Sequence, residues 1–204
     1  MFGISDYGAF SAAFVLLLFL PGPGNLALIS SASKGGLSGG LASVFGLLVG
    51  DQVLLWLTVA GLAAVITALP PVFLALQWAG AGYLAWLGFK MLTAQAGEGP
   101  SIQITPGHYF RETLLITLLN PKAIMFYLAF FPQFIDPVNH QGWITFAAMA
   151  LTIVVLGFVY CFGVVLVTHF MAERVRAHPK FSSFLQKMAG VCLIGFGLKM
   201  VFTK

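Results

Sequence analysis

The chain has 204 residues, of which 59% are hydrophobic and only 8% charged, against about 25% charged in an ordinary soluble domain. With 20 phenylalanines and a mean hydropathy of +0.96, it has too little polar surface to cover a water-soluble globule. The net charge of +4 is small and its Lys and Arg residues cluster between apolar runs, which marks membrane topology and excludes a nucleic-acid footprint.

A helix needs about 20 apolar residues to cross the hydrocarbon core. Six stretches qualify, at about 8–33, 40–66, 72–93, 112–135, 144–169 and 184–203. The predicted fold is therefore an all-α integral membrane protein with six transmembrane helices in a single domain over 1–204. The first stretch lacks a basic n-region and runs from Ala9–Leu20 into PGPGN, not into a cleavage site, so it is expected to be retained. Its interruption by Pro21, Gly22, Pro23, Gly24 and Asn25 removes backbone donors from the helix. The carbonyls of Leu17 and Phe19 then need partners that lipid cannot offer.

The second stretch carries Gly39, Ala42, Ser43, Gly46 and Gly50, with GLLVG (Gly46–Gly50) a G-x-x-x-G. Such small residues allow close helix packing, within the chain or across a homodimer. Asp51 follows at once. Pro70-Pro71 punctuates the next connection, and Ala96–His108 forms the longest polar loop, within 94–111. The fourth stretch is interrupted in its turn by LNPKA (Leu119–Ala123), where Pro121 cannot donate to Thr117. Asn120 followed by Pro121 matches a helix N-cap followed by proline at the first helical position. Gly22-Pro23 fits the same part, so both half-helices would aim free N–H groups at the membrane midplane, an arrangement suited to a carboxylate.

Laying the sixth stretch over the third pairs Gln77 with Gln186, Leu84 with Leu193, Gly88 with Gly197, Lys90 with Lys199 and Met91 with Met200. The two proline-interrupted stretches open the two halves, 8–93 and 112–203. Three spans per half makes these inverted three-helix repeats with helices one and four broken by proline, a pattern that points to a transporter site near the midplane. Lys34, Lys90, Arg111, Arg174, Arg176, Lys180 and Lys187 lie at connections that share one side, leaving Lys199 and Lys204 opposite. Cytoplasmic loops carry the basic excess, which places both termini outside.

The two non-terminal charges inside spans are Asp51 and Lys122. At helical rise Asp51 lies about 16 Å in from Gly40, Lys122 about 15 Å in from Glu112, and the Pro21–Pro23 break about 15–18 Å in from Ser33. All three meet near the middle of a core about 30 Å thick. A charge at that depth costs about 2.5–3.5 kcal/mol on insertion scales, so Asp51 and Lys122 are expected to face inward and pair, directly or through water, either to fix register or to serve a transport path. Cys161 and Cys192 form no C-x-x-C, and His108, His140, His169 and His178 lie singly near span ends. There is no H-E-x-x-H, nucleophile elbow or nucleotide loop. No metal, cofactor or catalytic residue is therefore expected.

With these residues in place, PGPGN, GLLVGDQVLLWLTVAGL (Gly46–Leu62) and LLNPKAIMFYLAFFPQFID (Leu118–Asp136) give the chain a family likeness. It resembles the LysE/RhtB amino-acid exporters, and within them the leucine-type exporters of neutral amino acids. The resemblance implies a multi-pass secondary carrier of the bacterial inner membrane, working with an amino-acid substrate and a coupling proton and with no cofactor. By matching position it implies functional roles for Pro21, Gly22, Pro23, Asp51, Asn120, Pro121 and Lys122, with Gly24 and Asn25 beside them. The contrasting classes are a membrane thiol oxidoreductase, which needs cysteines near the breaks, and a cation or metal exporter, which needs more in-membrane carboxylates or a His/Cys cluster.

Overall fold

A computed structural model describes residues 3–19, 22–68, 86, 89, 104–135, 142–175 and 191. Among these, every regular element is helical, and Ile4 and Ile135 add an isolated antiparallel bridge. Pro21, Asp136, Cys192, and the third and sixth predicted spans apart from Trp86, Phe89 and Val191, lie outside the described residues. So does the register that would align those two spans.

Helix α1 (Tyr7–Phe19) starts at Asp6, whose carboxylate accepts the N–H of Ala9 at 2.9 Å and whose carbonyl accepts that of Phe10. This is the preferred chemistry for an N-cap. Its buried residues are Phe10, Ala13, Phe14, Leu17 and Leu18, the i, i+3, i+4, i+7, i+8 stripe of a one-sided helix. That stripe packs on Phe126, Tyr127, Phe131, Phe134, Met149 and Ile153.

Helix α2 (Pro23–Ala68) is interrupted at Gly36, with φ 60° and ψ −151°. A side chain built on Gly39 would stand 2.8 Å from the carbonyl oxygen of Ser31, one on Gly40 3.2 Å from Ala32, and one on Gly24 3.2 Å from Leu47. These pairs are symmetric about Gly36, so α2 is a hairpin of two helical arms closed at one glycine. The turn falls in the predicted connection at 34–39, where Gly36 makes the reversal and Gly39 and Gly40 let the arms touch. The reversal places Gly24, the start of the first arm, beside Leu47 and one turn from Asp51.

Helix α3 (Tyr109–Leu118) lies against the second arm. Gly46 faces the carbonyl of Phe110, and Gly50 faces Thr117. The hydroxyls of Ser43 and Thr113 share a buried hydrogen bond of 2.5 Å between them. The small-residue stripe is thus used inside the chain. At the polar end Glu112 accepts the N–H of Thr105 at 2.9 Å and Lys34 donates to the carbonyl of Ile104 at 3.1 Å, strapping the approach to α3 onto α2.

Helix α4 (Pro121–Met125) runs into a π-turn (Phe126–Phe130) and a 3-10 turn (Phe131–Phe134). Helix α5 (Trp143–Val175) closes the bundle, tied to α1 by Tyr7 and Thr152 at 2.9 Å and to α2 by Gln52 and the carbonyl of Ala150 at 3.3 Å. By length and apolar content Trp143–Phe170 is a candidate membrane span, Pro23–Gly61 is long and apolar enough but folds back at Gly36, and the pair Tyr109–Leu118 with Lys122–Phe134, bent by 51°, makes a further span if taken as one. Phe45, Val49, Val53 and Leu57 on α2 and Leu151, Val155 and Val159 on α5 are exposed at helical spacing, the surface a lipid-facing helix presents.

Candidate functional site

Four chain segments end or break around one internal cavity of about 60 Å³. Phe14, Leu17 and Leu18 of α1 and Leu47 of α2 form its apolar wall, while Asp51, Asn120, Lys122, Thr117 and Tyr127 supply polar groups. Gly22, Gly24 and Asn25 line it from the start of α2. Of the residues singled out in the sequence, Gly22, Gly24, Asn25, Asp51, Asn120 and Lys122 are therefore brought together. Pro23 and Pro121 are the first residues of α2 and α4, and Gly46 and Gly50 pack on α3 outside the cavity.

Local chemistry places each group. The carbonyl of Gly22 accepts the N–H of Leu26 at 3.1 Å, so the helix starts at the Gly22-Pro23 pair and its first N–H groups, from Gly24 onward, point out of that end. Asn120 has extended backbone (φ −76°, ψ 110°), and its side chain accepts the N–H of Lys122 at 3.1 Å. Its carbonyl accepts Ile124 at 3.0 Å, and its own N–H closes on the carbonyl of Thr117 at 3.2 Å. That last bond satisfies the acceptor that Pro121 leaves open.

The breaks expose carbonyls at the end of α1, and side chains from elsewhere take them up. Lys122 Nζ donates to the carbonyl of Leu17 at 3.1 Å. Asn25 Nδ2 donates to the carbonyl of Leu18 at 2.9 Å and reaches the Tyr160 hydroxyl at 3.3 Å. The ammonium group of Lys122 is thus held on a backbone acceptor while it remains within electrostatic range of Asp51. Sequence reasoning expected the two charges to satisfy each other. In the structure the freed carbonyl shares that task.

Asp51 is 7% exposed, with the Tyr127 hydroxyl and the Cys161 thiol as neighbours. Tyr127 Oη is buried beside Asp51 without a well-formed hydrogen bond, and Thr117 Oγ1 is buried without a hydrogen-bond partner. Tyr127, Tyr160 and Thr117 were not singled out in the sequence. Tyrosines in an aromatic run read as packing, and the one available signal was that Thr117 follows Thr113 by one helical turn. Cys161 is a fully buried free thiol packed with Leu28, Leu47, Leu48 and Val165, the behaviour of a small hydrophobic residue in an apolar span. Among the described residues no three His, Cys, Asp or Glu side chains converge as a metal site would require.

A bundle of apolar helices with ionisable groups turned into a cavity between them defines the class, an α-helical membrane protein with its polar chemistry inside. The particular family follows from comparison. The model of the LysE type translocator family matches residues 15–204, and the chain belongs to that family. It is 30% identical to the leucine efflux protein of Klebsiella pneumoniae, over 98% of this chain and 96% of that protein. It is 29% identical to the leucine efflux protein of Salmonella typhimurium, with the same coverage. An uncharacterized membrane protein of Pseudomonas aeruginosa is 29% identical over 97% of this chain and 95% of its own length. No solved structure matches the chain.

Proposed function

We propose that this protein is a secondary active exporter of amino acids in the bacterial inner membrane, taking neutral, leucine-like substrates in exchange for protons. The observation that carries this is the convergence of Asp51, Lys122 and the start of α2 on one cavity. A zwitterion has a carboxylate for the N–H groups of the half-helices and for Lys122, and an ammonium for Asp51 or the freed carbonyls. The apolar wall of Phe14, Leu17, Leu18 and Leu47 suits an aliphatic side chain. Intramembrane ionisable groups are functional candidates by default because their burial is costly. The leucine efflux proteins among the relatives support the choice of substrate class. In this scheme the chain forms a single domain of six spans in two inverted repeats, with both termini outside, and Asp51 takes up a proton from outside to release substrate.

The cavity is far smaller than the roughly 300–1,000 Å³ of ordinary ligand pockets. Substrate therefore enters only when the bundle opens, as one half rocks against the other. Labelled amino acids tested one by one in reconstituted vesicles, with and without an imposed pH gradient, check the proposal. Transport of leucine and similar neutral amino acids, faster with the gradient, is expected. Absence of transport for every amino acid would refute it. A thiol oxidoreductase would stop working when Cys161 and Cys192 are both replaced by serine, whereas the exporter is expected to keep its transport.

A further inference from the structure

Two hydroxyl groups in the cavity wall are buried without a well-formed hydrogen bond. Thr117 is 3% exposed and Tyr127 1%, both line the cavity, and neither hydroxyl has a hydrogen-bond partner. Leaving a buried hydroxyl unpaired is costly. For Thr117 the cost looks avoidable, because a threonine in a helix can donate to the carbonyl four residues back. Thr152 does so, donating to Ala148 at 2.7 Å. Thr113, one turn before Thr117, pairs with Ser43.

Gly50 explains why Thr117 differs. A Cβ placed on that glycine would stand 2.8 Å from both Cβ and Cγ2 of Thr117. With the methyl lodged against Gly50, the hydroxyl is committed to the cavity side without an acceptor of its own. Tyr127 is fixed just as firmly, by Phe126 and Phe131 around its ring, with its hydroxyl beside Asp51.

We propose that the Thr117 and Tyr127 hydroxyls, together with the N–H of Gly24, hold the α-carboxylate of the transported amino acid. Every α-amino acid carries that group, so the clamp governs affinity for the head group and not the choice of side chain, which is left to the apolar wall. This inference rests on the exporter reading above, and it adds two residues and one chemical task to it.

The test is binding to the purified full-length protein in detergent, by calorimetry, of leucine, alanine and 3-methylbutylamine, the last being leucine without its carboxylate. Thr117→Val keeps the shape and the methyl against Gly50 but removes the hydroxyl, Thr117→Ser restores it, and Tyr127→Phe removes the second donor. Thr117→Val and Tyr127→Phe are expected to weaken leucine and alanine alike by about tenfold or more. Thr117→Ser is expected to recover most of that loss, and 3-methylbutylamine to bind the same to all forms. Thr117→Val is expected to melt no lower than wild type, since it loses no bond. Wild-type affinity in both hydroxyl-deleted variants, a loss confined to one amino acid, or a large drop in melting temperature for Thr117→Val would overturn the clamp while leaving the exporter reading standing. A wild-type protein that binds no amino acid would overturn both.

Discussion

Thr117 and Gly50 meet so closely that the glycine has no room for a side chain. The same holds for Gly46, where an added methyl would run into the carbonyl oxygen of Phe110, a backbone atom that cannot turn aside. Overpacking of this kind costs about 1–3 kcal/mol. Gly50→Ala is therefore expected to lower the melting temperature of the purified protein and to push Thr117 away from the cavity, reducing transport as well. Gly163 on α5 has nothing within 4 Å of an added Cβ, so Gly163→Ala should melt at or above wild type, alanine being the better helix former by up to about 1 kcal/mol. Equal melting temperatures for the two variants would contradict the close approach of α2 and α3. Asp51 and Lys122 show the same dependence on neighbours. Each is a charge that lipid would reject; Lys122 is held by the carbonyl of Leu17, 105 residues back in sequence, and Asp51 borders the same cavity.

At the scale of elements, the α2 hairpin depends on one backbone conformation. Gly36 combines φ 60° with ψ −151°, a region essentially closed to residues with a side chain, and forcing one into it costs about 1–3 kcal/mol. Gly36→Ala is expected to melt lower than wild type. Gly36→Asn should give no rescue, because asparagine tolerates the left-handed helical region but not this value of ψ. Full stability in either variant would show that the reversal is made some other way. How legible each element was in the sequence follows from how local its cause is. The starts of α2 and α4 rest on Gly22-Pro23 and Asn120-Pro121, and capping chemistry is settled within four residues, so those starts could be read directly. The need of Leu17 for a partner could also be read, since it follows from proline lacking an N–H. That the partner is Lys122 could not, because the two are joined by tertiary packing. The hairpin was visible as a glycine-rich connection but not as a turn closed at one residue. The π-turn over Phe126–Phe130, which places Tyr127 beside Asp51, left no trace in a run of apolar and aromatic residues. Such insertions are often found at functional sites.

At the scale of the whole molecule, exposed Phe, Leu and Val side chains of α2 and α5 face outward among the described residues, while Asp51, Thr117, Asn120 and Lys122 gather around one cavity between buried apolar clusters. The aromatic cluster of Phe10, Phe14, Phe126, Phe131, Phe134 and Phe146 fills one side of the cavity. The smaller group of Leu28, Ala32, Val44, Leu47, Leu48 and Val165 fills another. The cavity of about 60 Å³ beside them accommodates a few water molecules. Everything proposed for its cycle passes through Asp51, the acidic group in the cavity wall. The most direct measurement is leucine efflux from reconstituted vesicles under an imposed pH gradient, comparing wild type with Asp51→Asn at equal amounts of correctly inserted protein. The account expects gradient-driven efflux in the wild type and none above the protein-free background in the variant. Undiminished, gradient-driven efflux through Asp51→Asn would contradict it.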